Sequence, residues 1–280
     1  MKITITKTAG FCMGVKRAVE LVLAAANDNK QPIYTFGPLI HNPHVLKMLK
    51  EKGVYVIDTI TKKGKGTVFI RAHGVPPAVY TDLNKAGFKV IDATCPHVLK
   101  VQTIIKQYTE KGYDSIIIGD KNHPEVIGLL GYAGKTGHVI DNEENLNKLR
   151  VFDKAIIVAQ TTQDTIFFKT VIKWVNKKNP HYKIFNTICN STEKRQAEVK
   201  SLAKSADIII VIGGYNSGNT RRLAQIALKS GKPTFHIESE SELDIKALSL
   251  AGHIVITAGA STPNWTIQKV YSFLRNNVLK

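Results

Sequence analysis

Cysteine is scarce in this sequence, and long apolar runs are missing from it. The 280 residues include three cysteines, which cannot all pair with one another, so a disulfide framework does not explain them. No run approaches the ~18 apolar residues of a membrane helix, and the N-terminus MKITITKTAG lacks the apolar core of a signal peptide. We therefore expect a cytoplasmic protein that does not enter a membrane and whose cysteines serve metal or redox chemistry.

Acidic residues are also few: 22 of them stand against 39 lysines and arginines, which gives a formal net charge of +17. A basic protein can bind nucleic acid, an anionic small molecule or an acidic protein. The lysines are scattered along predicted helices, and the sequence has no helix-turn-helix, RNA-binding strand motif or compact basic run. We expect no nucleic-acid partner, while a solvated basic surface and a docking face for an acidic electron carrier both stay open.

Each cysteine stands between a predicted strand and a predicted helix. Cys95 ends the stretch KVIDATC and is followed by Pro96, which fits the first position of a helix because its missing N–H is not needed there. The stretches KITITKTAGFC and YKIFNTIC end at Cys12 and Cys189, and both continue into helical patterns. A helix N-terminus favours a thiolate over a thiol. Because all three cysteines occupy the same junction, a small buried hydrophobe is the weaker interpretation.

The cysteines begin three similar units. After each one the pattern predicts a helix, a strand ending in a polar cluster, a shorter strand, and a further strand ending in a second polar cluster. His41, His123 and Ser217 stand in the first clusters at nearly equal distances from their cysteines. Strands rich in Val and Ile that alternate with helices indicate parallel sheets covered by helices on both faces.

This repetition predicts an α/β fold of three similar small domains with mostly parallel sheets around a common centre. The first unit spans residues 13–95, the second 96–189 and the third 190–280, and the N-terminal strand within 1–12 is expected to join the third sheet. No linker separates the units, so we expect one particle with a central cavity. The carboxyl ends of the strands, where open α/β sheets bind ligands, would face that cavity.

Imidazoles, hydroxyls and an amide accompany the thiolates at the predicted strand ends. These polar strand-end residues are His41, His73, His123, Thr161, Ser217, Asn219 and Ser261. Three cysteines could hold zinc together with a histidine or water, or an iron–sulfur cluster in which one iron has no protein ligand. Polar groups at helix starts suit a phosphate-like anion. The residues favour a reductase for a phosphorylated substrate, with a non-redox zinc protein that binds a phosphorylated ligand as the alternative.

One carboxylate stands among these clusters. Glu125 follows His123 in the segment NHPEV, whereas Asp92 is expected to point back along its strand and Asp120 precedes the turn. A carboxylic acid in a dry cavity can act as a general acid, and Thr161 at the neighbouring strand end could pass the proton on. A solvated loop carboxylate is the alternative for Glu125.

Nine segments of the chain form a specific combination. In order they are AGFCMGVKRAVE, PLIHNPHV, RAHGVPP, DATCPHV, NHPEVIG, AQTT, the Cys189 junction, NSGNTRRL and TAGASTP. In these segments the chain closely resembles the LytB (IspH) family of 4-hydroxy-3-methylbut-2-enyl diphosphate reductases, and the resemblance covers nearly the whole chain. It departs at Gly218, where family members often carry a serine and where a backbone N–H could still reach the ligand.

The resemblance implies one [4Fe–4S] cluster per chain on Cys12, Cys95 and Cys189. It also implies Glu125 as the proton donor and a substrate site lined by the polar strand-end residues, mostly around the diphosphate. The implied reaction yields isopentenyl and dimethylallyl diphosphate in the last step of the methylerythritol phosphate pathway. Ferredoxin or flavodoxin would supply the electrons, because no nucleotide-binding G-x-G-x-x-G follows a strand here. A monomer is expected.

Overall fold

The computed structural model describes residues 1–28 and 32–278, in which strands and helices alternate. The strands are β1 (Lys2–Ile5), β2 (Ile33–Phe36), β3 (Val54–Ile57), β4 (Thr67–Ile70), β5 (Lys89–Asp92), β6 (Asp114–Ile118), β7 (Gly137–Ile140), β8 (Ala155–Ala159), β9 (Lys183–Ile184), β10 (Ile208–Ile212), β11 (Thr234–Ile237) and β12 (His253–Ala258). The helices are α1 (Met13–Asp28), α2 (Pro43–Glu51), α3 (Pro77–Ala86), α4 (Pro96–Thr109), α5 (Pro124–Ala133), α6 (Glu143–Asn147), α7 (Thr165–Lys178), α8 (Asn190–Leu202), α9 (Gly218–Lys229), α10 (Ile245–Leu248) and α11 (Asn264–Val278). None of the described helices is long and apolar enough to cross a lipid bilayer.

Local sequence signals set several helix starts. α4 begins at Pro96 behind the N-cap residue Cys95, and α5 begins with a proline behind His123, because the fixed φ of proline suits the first helical turn. α7 and α9 begin behind Asp164 and Ser217, whose side-chain oxygens accept a backbone N–H of the first turn. The positions of these helices therefore follow from residues next to them in sequence.

The described strands form three four-stranded sheets in which every pairing is parallel. The strand orders are β3-β2-β4-β5, β7-β6-β8-β9 and β11-β10-β12-β1. All three orders follow one plan. The central pairs are β2 and β4, β6 and β8, and β10 and β12, which are not consecutive in the chain. The strand that leads to a cysteine, β5, β9 or β1, lies at one edge of its sheet. The predicted fold class of three small α/β folds with parallel sheets is confirmed.

The chain divides into two compact units. The first comprises Met1–Val15, Ile40–Val45 and Asn190–Lys280, and it contains the sheet in which β1 pairs with β12. The second comprises Lys16–Leu39 and Leu46–Cys189, and it contains the other two sheets. We keep the finer division into three domains, at the boundaries named above, as a proposal.

The strand before Cys12 is shorter than predicted. β1 ends at Ile5, so the prediction of a strand that continues to the cysteine is wrong for the residues after it. The N–H groups of Lys7 and Thr8 donate instead to the carboxylate of Glu198, at 2.7 and 3.0 Å. A side chain of α8 thus replaces the neighbouring strand as the hydrogen-bond partner.

The strand before Cys189 is also shorter than predicted. β9 ends at Ile184, and the remaining residues up to the cysteine are not extended strand. The hydroxyl of Thr187 donates to the carbonyl oxygen of Ala159 at 2.6 Å and accepts a hydrogen bond from the N–H of Ala159 at 2.8 Å. This side chain occupies the backbone groups of β8 that a continued strand would have used.

The central strands are buried on both faces. Ile116 and Ile118 of β6 belong to an apolar cluster with α7, whereas Ile117 of the same strand packs with α4 and α5. All three side chains have no exposed surface. This burial explains why the run SIII shows no alternation of apolar and polar residues.

The packing of β12 against α9 yields a prediction at Gly259. A Cβ there would collide with Oγ1 of Thr220 and lie 3.1 Å from its Cβ, and Thr220 is fully buried. We expect Gly259→Ala to lower the free energy of unfolding by about 1–3 kcal/mol, the usual cost of overpacking. In Gly128→Ala the nearest atoms would lie at an ordinary 3.6 Å, so this control should not destabilise the protein. Equal urea midpoints for the two variants would contradict the prediction.

Candidate active site

The predicted polar residues follow the central strands of the three sheets. His41 and His73 come after β2 and β4, His123 and Thr161 after β6 and β8, and Ser217 and Ser261 after β10 and β12. In two of the sheets the chain passes from the two central strands to strands at opposite edges, from β2 to β3 and β4 to β5, and from β6 to β7 and β8 to β9. In the third sheet β10 leads to β11 at one edge, and β1, the first strand of the chain, occupies the other edge beside β12. The carboxyl ends at such a switch point form the crevice where open α/β sheets bind ligands.

The three cysteines are half-buried thiols next to helix starts. Cys95 is the N-cap residue of α4, and its N–H donates to the carbonyl of Ala72 at 2.9 Å. Cys12 and Cys189 directly precede α1 and α8, and the N–H of Val15 donates to Cys12 Sγ at 3.5 Å. Cysteine sulfurs are soft ligands that fit an iron–sulfur or zinc centre.

Polar side chains of the first unit gather at the start of α9. The Ser261 hydroxyl donates to the His41 carbonyl oxygen at 3.2 Å and lies 3.5 Å from the hydroxyl of Ser217, which caps α9. Asn219 is 4% exposed, and its Nδ2 has no hydrogen-bond partner within residues 1–28 and 32–278. A buried donor left over beside a helix N-terminus suits an anionic ligand.

Glu125 and Thr161 are joined by two short hydrogen bonds in the second unit. The Thr161 N–H donates to Glu125 Oε1 at 2.6 Å, and the Thr161 hydroxyl donates to Oε2 at 2.8 Å. Glu125 is 1% exposed, which makes the solvated loop carboxylate the wrong alternative. The carbonyl of Thr161 accepts the N–H of Cys189 at 2.9 Å, so the pair is joined to a cysteine through the backbone.

Burial raises the pKa of Glu125 to about 7, against an ordinary value of 4.5. Desolvation is the largest cause, because a charged carboxylate is disfavoured away from water. The two hydrogen bonds from Thr161 lower the pKa, and the negative charge of Asp120 raises it. A carboxyl group with a pKa near neutrality can both hold and release a proton under working conditions.

Two histidines adjoin this pair in the second unit. The rings of His73 and His123 meet edge to face, with centroids 5.3 Å apart. The Glu125 N–H donates to His123 Nδ1 at 3.1 Å. When neutral, His123 therefore carries its proton on Nε2, which can donate to a ligand.

The sequence prediction did not include Arg17, Arg195 or Glu198. Arg17 lies on α1 and donates to the backbone beside Cys95, whereas Arg195 and Glu198 lie on α8 and bind the loop that leads to Cys12. A signal was present, since both arginines stand in the second turn of a helix that follows a cysteine.

Comparisons with known proteins agree with this geometry. The family model described as "LytB protein" matches residues 3–275. The chain is 40% identical over 279 residues to the 4-hydroxy-3-methylbut-2-enyl diphosphate reductase of Alkaliphilus oremlandii (strain OhILAs), with 99% of this chain and 100% of the relative covered.

Two solved structures are also similar. The E-1-hydroxy-2-methyl-but-2-enyl-4-diphosphate reductase from Plasmodium falciparum superposes with a TM-score of 0.94 at 31% identity, covering 98% of this chain and 88% of that one. A structure of (E)-4-hydroxy-3-methyl-but-2-enyl diphosphate reductase, described as the terminal enzyme of the non-mevalonate pathway, gives a TM-score of 0.70 at 43% identity and covers 99% and 100%. Because one family model spans nearly the whole chain and full-length relatives share this level of identity, the chain belongs to the LytB protein family.

Proposed function

We propose that this chain reduces 4-hydroxy-3-methylbut-2-enyl diphosphate to isopentenyl and dimethylallyl diphosphate, the terminal step of the non-mevalonate pathway. Membership of the family and the activity after which its relatives are named support the proposal. The reaction takes up two electrons and two protons, breaks the allylic C–O bond and releases water. The observation that carries it is the buried Glu125 carboxyl group with a pKa of about 7, held by Thr161 at the strand ends.

We further propose that Cys12, Cys95 and Cys189 hold one [4Fe–4S] cluster. Three half-buried thiols beside helix starts suit such a group, and with three cysteines one iron has no protein ligand. When bound, the cluster would supply the electrons for the reduction. A ferredoxin or flavodoxin is the proposed external donor, and the chain is proposed to act as a monomer.

The diphosphate is proposed to bind the polar strand-end residues. They are His41, His73, His123, Ser217, Asn219 and Ser261. Imidazole N–H groups, hydroxyls and the Asn219 amide would replace the water around the phosphate oxygens, and the N-terminus of α9 favours negative charge. These contacts would fix the allylic end of the substrate relative to the proton donor.

Glu125 and Thr161 are proposed to deliver the proton to the leaving hydroxyl. The Thr161 N–H occupies Glu125 Oε1, so the acidic proton belongs on Oε2, which faces the Thr161 hydroxyl. With the acid protonated, the hydrogen bond between these oxygens would reverse, so that the Thr161 hydroxyl accepts from Oε2–H. Oε2–H would then give its proton to Thr161 Oγ1 while the hydroxyl proton of Thr161 moves to the leaving oxygen. Protonation matters because hydroxide is a poor leaving group and the buried pair is closed to bulk water.

The cysteine assignment predicts the iron content of three variants. Cys12→Ser, Cys95→Ser and Cys189→Ser should each lose most bound iron and nearly all turnover, because serine does not supply a thiolate. Iron, sulfide and the visible spectrum of anaerobically purified protein give the answer, with Met13→Leu, an exposed neighbour of Cys12, as control. A serine variant with full iron and wild-type turnover would remove that cysteine from the ligand set. Colourless wild-type protein that contains zinc would contradict the cluster itself.

The anion site predicts opposite effects of Asn219→Ala on affinity and stability. Its amide nitrogen lacks a partner among the described residues, so its removal should leave the free energy of unfolding unchanged or higher. A hydrogen bond to a charged group contributes roughly 1.5–3 kcal/mol, so substrate affinity should fall about ten- to a hundredfold. Calorimetric titration with the substrate measures the loss. Asn216→Ala, an exposed residue of the same turn, is the control, and equal affinity of the two variants would exclude Asn219 from the site.

Proton delivery predicts the behaviour of Glu125→Gln. Glutamine keeps the size and the hydrogen bonds of the side chain but cannot release a proton. Turnover with a chemical reductant should fall ~10²-fold or more, the usual scale of general acid catalysis, while iron content and substrate affinity stay at wild-type levels. Turnover within a few-fold of wild type would transfer the donor role to another group, with His123 as the next candidate.

The raised pKa of Glu125 also predicts a pH-dependent stability. Its folded value of about 7 exceeds the ordinary 4.5, so between these values the folded protein holds a proton that the unfolded chain has released. Wild-type stability should therefore fall as the pH rises from 4.5 through 7, by about 3 kcal/mol at 1.36 kcal/mol per pKa unit. Glu125→Gln lacks this loss, so urea unfolding should increasingly favour the variant across the window. A constant difference between the two proteins would contradict the raised pKa.

A further inference from the structure

Arginines on two of the cysteine-headed helices bind the backbone beside other cysteines. Arg17 lies in the second turn of α1, which follows Cys12, and Arg195 lies in the second turn of α8, which follows Cys189. Arg17 donates to the carbonyl directly before Cys95, and Arg195 donates to a carbonyl in the loop before Cys12.

Arg195 binds the loop that precedes Cys12. The residue is 3% exposed, and its guanidinium donates from Nη2 to the Gly10 carbonyl at 2.7 Å and from Nη1 to the Ala258 carbonyl at 3.1 Å. The two bonds join the end of β12 to the loop before Cys12. A buried guanidinium keeps its positive charge, because its pKa lies far above neutrality.

Glu198 binds another part of the same loop. It stands one turn after Arg195 on α8, and its carboxylate accepts the N–H of Lys7 at 2.7 Å and both the N–H and the hydroxyl of Thr8, at 3.0 and 2.6 Å. One cation and one anion of α8 thus fix the middle of the loop from β1 to Cys12. Its ends are held by backbone bonds from Thr6 N–H to the Ile256 carbonyl at 2.8 Å and from Cys12 N–H to the Ala260 carbonyl at 3.1 Å.

Arg17 makes the equivalent contact at Cys95. Its Nη1 donates to the carbonyl of Thr94 at 3.1 Å, directly before the cysteine. Thr94 is fully buried, and its N–H donates to the carboxylate of Asp92 at 2.8 Å. The peptide that leads into Cys95 is therefore held on both sides by charged side chains.

We propose that Arg17 and Arg195 are positioning residues that hold the backbone leading into Cys95 and Cys12. We further propose that their charges raise the reduction potential of the iron–sulfur cluster that these cysteines would hold. The inference rests on the proposed cluster. Adding one electron to a centre held by thiolates increases its negative charge. A fixed cation nearby stabilises the reduced form more than the oxidised form, and burial strengthens this effect.

The chain offers a matched control for each arginine. Lys16 and Lys194 directly precede Arg17 and Arg195, carry the same charge and are exposed. Their replacement by glutamine removes a positive charge from the same helix without touching the cysteine loops. A difference in reduction potential between an Arg→Gln variant and the neighbouring Lys→Gln variant therefore comes from the arginine's contact with the cysteine loop. It does not come from the net charge of the protein, which is the same in both variants.

The experiment is an anaerobic redox titration of each purified protein with dithionite and mediator dyes, followed by the cluster spectrum. We expect one-electron reduction to become about tenfold less favourable in Arg195→Gln and in Arg17→Gln, a shift of 59 mV to lower potential. Lys16→Gln and Lys194→Gln should stay close to wild type. Arg→Lys should recover most of the potential, because lysine keeps the charge although it lacks the two-pronged geometry.

Glu198→Gln distinguishes the effect of charge on the potential from the effect of a less firmly held loop. It weakens the same loop but removes a negative charge, so the potential should rise where Arg195→Gln lowers it. Shifts of the same sign in both variants would overturn the electrostatic role, and so would Arg→Gln potentials equal to those of the lysine controls. If Arg195→Gln does not fold, Arg17→Gln decides by comparison with Lys16→Gln. Wild-type protein without an iron–sulfur spectrum would refute the proposed cluster, whereas unchanged potentials in loaded variants refute this inference alone.

Discussion

Parallel pairing of the strands places all carboxyl ends of a sheet at one edge, and the chemistry of this chain depends on that constraint. β6 and β8 pair in register from Asp114 opposite Ala155 to Ile118 opposite Ala159. The chain leaves β6 into α5 and β8 into the loop before α7, so Glu125 and Thr161 meet although they are far apart in sequence. An antiparallel sheet would have sent these two segments to opposite ends.

Glu125 shows how a side chain at these strand ends becomes a proton donor near neutral pH at a cost to the stability of the fold. Water is excluded from the carboxyl group, and the two hydrogen bonds from Thr161 only partly offset the loss of hydration. The result is an acid that titrates near neutrality. Asn219 shows the same relation in the first unit, since its buried amide nitrogen gains no partner from the described chain. Polar groups that do not stabilise the fold by themselves are typical of sites that serve a ligand.

All three cysteines donate their N–H to a carbonyl just beyond the neighbouring central strand: Cys95 to Ala72, Cys189 to Thr161 and Cys12 to Ala260. The segments that lead to them differ in length. Cys95 follows β5 closely, whereas Cys12 lies several residues beyond the end of β1, and side chains of α8 hold the intervening loop. The path to Cys12 therefore depends on tertiary contacts with a helix that is distant in sequence.

The sequence by itself determined the α/β class, the three repeated units, the helix starts and the family. These features depend on short-range physics: apolar runs such as SIII require burial on both faces, and the Cys95–Pro96 pair suits a helix start. It also pointed to the candidate site residues, whose roles stay predictions. Only the tertiary structure decided that β1 and β9 end early, that Glu125 is buried against Thr161, and that Arg195 binds the loop before Cys12. Each of these depends on which distant backbone and side-chain atoms the packing brings within hydrogen-bond distance, and no local pattern in the chain specifies that.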